Sequence, residues 1–177
     1  IIYFKGYSKK TDVIKRLDEF MQNKKNNYQY DKIKFQTDKI RNLPIKPSKY
    51  TNLFIERFIG KDKKLSSTEM SDEFKSKLTG VPLDIIKQVK NKGFGAYYTG
   101  GHRPGVSPQA WANARVNSFL TLGCAALSAD EHLLQEVYKM RVSKSRKKFF
   151  NQPISCDKKK FKIPFYLEKK NNKYMKN

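Results

Sequence analysis

The sequence is poor in the residues that build covalently or metal-held folds. Only two of its 177 residues are cysteine, Cys124 and Cys156, and only two are histidine, His102 and His132. Two cysteines make no disulfide framework, and a reducing compartment is the expectation. The four side chains are widely scattered, with no Cys-x2-Cys or His-x3-His pair, so neither structural zinc nor any other metal or cofactor is expected. Long apolar runs are missing as well. No stretch approaches the roughly 18 residues needed to span a bilayer, and no signal peptide is visible. The chain begins Ile1-Ile2 rather than with Met, which suggests a trimmed or processed start.

Acidic residues are scarce: 16 Asp and Glu stand against 38 Lys and Arg, a net charge of +22. A surface this positive attracts nucleic acid, acidic protein or anionic lipid over a Debye length of about 8–10 Å. The basic residues are overwhelmingly Lys, and the chain is rich in Asn, Ile, Tyr and Phe, all read from A/T-rich codons. Genomic bias therefore supplies part of the charge. Apolar residues make up 38% of the chain, a low share, yet ten Tyr and twelve Phe exceed what disordered chains carry, so a core is expected.

The charge is uneven. Residues 141–177 hold 13 basic and 2 acidic residues, a net +11, whereas residues 101–140 balance to zero. This divides the chain into a basic N-terminal helix and linker at 1–47, a helical core domain at 48–142 and a basic aromatic arm at 143–177. The expected fold class is mainly α: a small helical domain with a Gly-rich structured loop and extended basic terminal segments.

Apolar spacing predicts the helices. Val13, Ile14, Leu17, Phe20 and Met21 follow the candidate caps Ser8 and Thr11. Ile33, Phe35 and Thr37 alternate weakly, as a short strand would. Leu53, Phe54, Phe58 and Ile59 mark a second helix stopped by Gly60. Ser66 with Glu69 reads as a capping box before Met70, Phe74 and Leu78. Pro82 stands near the first position of a helix carrying Leu83, Ile86 and Val89, which Gly93 is expected to end. Ser107-Pro108 opens a helix with Trp111, Arg115, Phe119 and Leu120. Ser128 with Glu131 forms another capping box, before Leu133, Leu134, Val137 and Tyr138. Beyond Arg141 the reading is an extended arm with aromatic anchors and a short strand around 161–167.

Three constellations are candidates for function. The Gly-rich stretch 97–105 includes Gly100, Gly101, His102 and Arg103. Its backbone N–H groups and two basic side chains could hold an anion, and its bland alternative is a tight connection. It lacks the Gly-Lys-Ser/Thr of a P-loop and follows no strand, so a nucleotide site is not supported. On the next helix Trp111, Arg115 and Phe119 share a face, with Arg115 placed to stack on Trp111. In the arm, Arg146, Lys147, Lys148, Phe149, Phe150, Lys158, Lys159, Lys160 and Phe161 mix cations with aromatics. That mixture suits either base stacking or anchoring in a neighbouring subunit. A Cys/His nucleophile would have to pair Cys124 with His102 or His132. Cys124 sits in Gly-Cys-Ala-Ala-Leu, where a small buried hydrophobe fits better, so no catalytic residue is assigned and the chain is not expected to be an enzyme.

The run Gly80-Val81-Pro82-Leu83, then Lys92-Gly93-Phe94-Gly95-Ala96-Tyr97, Gly100-Gly101-His102-Arg103-Pro104-Gly105 and Gln109-Ala110-Trp111-Ala112-Asn113-Ala114-Arg115-Val116-Asn117-Ser118-Phe119 resembles an uncharacterised domain family of large DNA viruses and some tailed phages. The resemblance is dense over 78–134 and does not reach 141–177. It implies a virion structural protein, a minor capsid or internal-shell component bridging larger coat subunits through its arms. The expected partners are then the major capsid protein or inner-shell proteins, with DNA as a further one and no small-molecule substrate. The implied location is the virion, and the host cytoplasm during assembly. The alternative is a sequence-nonspecific nucleic-acid-binding protein that condenses or packages the genome. Peripheral contact with an anionic membrane is also compatible with the charge.

Overall fold

The computed structural model describes residues 8–25, 48–60, 70–101, 106–157, 161–169 and 171–175, the side chains of 23–25, 100 and 101 excepted. The described residues are mainly helical and include no strand. The helices are α1 (Lys10–Lys25), α2 (Lys49–Phe54), α3 (Asp72–Thr79), α4 (Leu83–Ala96), α5 (Pro108–Leu120), α6 (Glu131–Lys139) and α7 (Lys144–Asn151). π-Helical turns continue α2 over Ile55–Ile59 and α4 over Tyr97–Gly101, and a 3-10 turn spans Phe165–Leu167. No helix among the described residues is long and apolar enough to cross a membrane. The chain forms two compact units, one from 1–47 and 90–113, the other from 48–89 and 114–177.

Local chemistry explains most of the helix ends. Gly60, at φ 115°, stops the second helical segment as its sequence predicts. The cap of α3 is Ser71, whose hydroxyl accepts from the Phe74 N–H at 3.1 Å. The expected cap Ser66 lies outside the described residues, as do the weak strand at 33–37 and the linker around it. Gly80 closes α3 at φ 69°, a left-handed position that favours glycine. Ser107 caps α5 by accepting from Ala110 N–H at 3.1 Å. Two other expected caps are corrected. Lys9 supplies the carbonyl that receives the Asp12 and Val13 amides, which puts Thr11 inside α1. Ser128 turns back to donate to the Cys124 carbonyl at 2.6 Å, and Asp130 takes the position before α6 without a side-chain cap.

Gly93 does not end α4. A Cβ built there would lie 2.7 Å from the Ala112 Cα, so its role is to let α4 and α5 approach backbone to backbone. The helix runs on to Ala96, and the following turn buries Tyr97 and Tyr98 edge to face, 5.1 Å apart, with Phe20, Phe94 and Trp111 packed around them.

The larger unit has an apolar core that includes Phe54, Ile85, Ile86, Val89, Val116, Phe119, Leu120, Leu133, Leu134 and Val137. The same core takes in Phe149, Phe150, Leu167 and Tyr174. The expected free arm at 143–177 is therefore corrected: its described aromatics are mostly core residues of this chain. Phe150 stacks on Tyr174 at 4.5 Å and meets Tyr138 edge to face at 5.3 Å. The Tyr174 hydroxyl lies 3.1–3.4 Å from the carbonyls of Val137, Tyr138 and Met140, where it covers the open end of α6. Tyr138 donates to the Asn171 carbonyl and accepts from the Lys173 N–H. The short strand expected near 161–167 is replaced by the 3-10 turn, which follows Pro164.

Candidate functional site

A polar junction of the larger unit is built on Arg57, in the π-turn after α2. Its Nη1 has two protons to donate and lies 2.8–3.1 Å from four acceptors that share them, the Thr121 carbonyl, the Gln152 Oε1, the Pro153 carbonyl and the Ser155 hydroxyl. Burial lowers its pKa, with Glu56 opposing the shift. Ser155 also donates its amide to Leu122 O and its hydroxyl to Thr121 O. Leu122 is held at φ 50°, in the left-handed region that non-glycine residues rarely occupy. Two residues further on, Cys124 forms a disulfide with Cys156, across 32 positions of sequence. This corrects the reading that the two cysteines build no disulfide. The pairing depends on the chain's return after α7, which no spacing rule reveals. Cys124 is thus a structural sulfur here, not a candidate nucleophile.

The three constellations read from sequence fare differently. Gly100 and Gly101 lie in the π-turn, so the segment is helical as far as Gly101 and directs its amides along the helix axis rather than toward one point. That is a correction to the expected loop. His102 and Arg103 lie outside the described residues.

On α5, Arg115 is committed to Asp130 rather than to Trp111. It donates from Nε to Oδ2 at 3.0 Å and from Nη2 to Oδ1 at 2.8 Å, and Asp130 is fully buried. Such a two-point ion pair ties α5 to the start of α6 and is strongly costly to break from one side. Trp111 packs with the Tyr97 and Tyr98 pair, and Phe119 stacks on Phe149 at 6.3 Å.

In the C-terminal segment the cations and the aromatics separate. Phe149 and Phe150 are 0% and 1% exposed, so neither can stack on a base or anchor in a partner. Phe161 is half-buried against the same core. Arg146 is also spent internally: it donates from Nε to the Gly80 carbonyl at 2.8 Å and from Nη1 to the Arg141 carbonyl. Lys158, Lys159 and Lys160 lie outside the described residues. What remains on the outer face of α7 is Lys144, Lys147 and Lys148, one helical turn apart, with Lys148 Nζ 5.2 Å from the Phe58 ring. Sequence reasoning passed over Lys144 because it treated the segment as an extended chain. The signal was available, since Ser143 caps α7 by accepting from Arg146 N–H, three residues on.

Two tyrosines seal this segment. Tyr166 donates to Glu131 Oε1 at 2.8 Å. Burial and that hydrogen bond push its pKa far above the usual range. Burial raises Tyr174 as well. Both stay protonated over all ordinary pH, and both act as hydrogen-bond donors.

The model of one protein family, DUF5824, described as a family of unknown function, matches residues 1–134. No curated protein matches the chain. No solved structure matches it. The match ends within α6, so α7 and everything after it lie beyond the matched span.

Proposed function

The chain belongs to this family of unknown function, and we propose that it is a non-enzymatic structural protein of a large DNA virus particle that works by contact rather than turnover. The virion setting rests on the sequence resemblance given above. The observation that carries the contact role is the use of polar groups in the larger unit. Arg57, Arg115, Arg146, Tyr138, Tyr166 and Tyr174 all direct their bonds at the chain itself. The unit is thus cross-tied like a scaffold, and it offers lysines to its surroundings.

In this reading the partners are the major capsid protein or inner-shell proteins. The manner of contact differs from the one expected from sequence, because Phe149 and Phe150 are not available as anchors. Neighbouring subunits would instead meet exposed apolar residues such as Phe165, which is 70% exposed. Fractionating purified particles tests the proposal. Recovery of the protein at fixed stoichiometry with the shell, after the genome is removed, supports it. Absence from particles would overturn it. Complete loss together with the DNA would favour the second reading, a genome-condensing protein, for which the lysines of α7 are the supporting observation.

A further inference from the structure

The first turn of α7 differs from those of four other helices of this chain, and α2 and α5 share its lack of acids but place no row of cations there. α1, α3, α4 and α6 carry Asp12, Asp72 and Glu73, Asp84, and Glu131 in their first turns, where carboxylates complement the positive end of the helix dipole. α7 has none, and places Lys144, Arg146 and Lys147 there instead. From Arg141 to Asn151 there are five cations and no acid. Codon bias explains abundant lysine but not a stretch of five cations without one acid, because acids are interleaved with the lysines of α1 under the same bias. Arg146 is compensated by the carbonyls of Gly80 and Arg141. Among the described residues no ion pair is made by Lys144, Lys147 or Lys148. Lysines at i, i+3 and i+4 also repel one another across about 5–6 Å. An external anion would relieve both costs.

We infer that the outer face of α7, with Lys144, Lys147 and Lys148 at its centre and Arg141 at its edge, binds the phosphate backbone of nucleic acid without reading its sequence. The inference deepens the second reading given above, contact with the genome, by naming the face and the chemical group it holds. Three features select nucleic acid. The cations are flexible point charges in a dense row, suited to a polyphosphate that carries one charge per about 1.7 Å of duplex. The aromatics of the same helix are sealed in the core, which removes base stacking as a mode and with it any advantage for single strands. A basic helix that lies on a membrane needs apolar residues to bury in the interface, and α7 exposes Lys144, Lys148 and Asn151 but neither of its phenylalanines.

The test uses the full chain and a duplex of arbitrary sequence, with binding followed by fluorescence anisotropy from about 50 to 200 mM salt. Replacing Lys144, Lys147 and Lys148 together by Gln should weaken binding at least tenfold at low salt. The slope of log affinity against log salt should fall by roughly 0.9 for each phosphate that the variant no longer neutralises. The same three positions changed to Arg should retain wild-type affinity. Removing the same number of charges from α1 and its approach, as K9Q/K10Q/K15Q, should have less than a third of that effect. Equal losses from both helices would overturn the site, since only total charge would then matter. So would an unchanged slope in the α7 variant. If that variant loses binding to phosphatidylserine vesicles but keeps the duplex, the face belongs to a membrane and the inference fails. Duplex binding by the isolated chain does not depend on its place in a particle, so the two proposals fail separately.

Discussion

α1 and α7 begin from similar material and end with surfaces of different chemistry. α1 holds five basic and three acidic residues, and α7 holds four basic and none. On α1 the apolar residues Ile14, Leu17 and Met21 are 49%, 45% and 58% exposed, while the buried cation Arg16 is paired with Glu19 and lies 4.8 Å from the Phe20 ring. On α7 the apolar residues are inside and the lysines outside. A high lysine count alone therefore says little about partners. What matters is whether acids are interleaved and where the aromatics go. α1 is close to electrically balanced along its length, whereas α7 is a one-sided cationic face on a packed base.

The comparison breaks most visibly through Phe150. Phe150→Ala should destabilise the larger unit by about 3–5 kcal/mol, the usual cost of removing a buried aromatic. Leu17→Ala on α1 should cost less than about 1 kcal/mol, as a half-exposed position does. Denaturant unfolding followed by circular dichroism measures both. Equal small effects would mean that the α7 aromatics are not core.

The disulfide comes next. Cys156→Ser, or treatment with a reductant, should cost roughly 3–4 kcal/mol, because the bridge closes a loop across 32 positions. The readout is the unfolding midpoint with and without reductant. A free-thiol titration of the folded protein should find no reactive cysteine, since the described structure contains no free one.

The smallest effect is expected at Tyr166. Tyr166→Phe removes the bond to Glu131 and should cost about 1 kcal/mol near neutral pH. The folded-state pKa of Tyr166 is raised above the unfolded value near 10. Its contribution is therefore fully present below about pH 10 and is lost as pH rises beyond that, because the unfolded chain then releases the proton first. The phenylalanine variant should lose less stability than the parent between about pH 9 and pH 11.

Much of the helical layout was legible in the sequence, and the reasons are local. The stop at Gly60, the cap at Ser107 and the apolar face of α6 all follow from the residue and its near neighbours. The failures are tertiary. Gly93 reads as a helix stop until Ala112 is seen against it. Arg115 has two plausible partners on paper, and only the fold shows which is near. The C-terminal segment misled because its composition suggested an arm, whereas the pairing of Phe150 with Tyr138 and Tyr174 depends on a chain reversal with no local signature. Of the candidate site residues, Lys147 and Lys148 lie on the outer face of α7, while the neighbouring phenylalanines and Arg146 are turned to the chain itself.

Limited proteolysis with trypsin probes the central claim most directly, because the segment from Arg141 to Lys148 holds five potential cleavage points. A lysine-coated helix on a packed core should resist cutting there as long as the larger unit stays folded, and its Phe149 and Phe150 amides should exchange slowly with deuterium. Rapid cleavage at Lys147 or Lys148, with α5 and α6 still protected, would show a free arm and contradict the account.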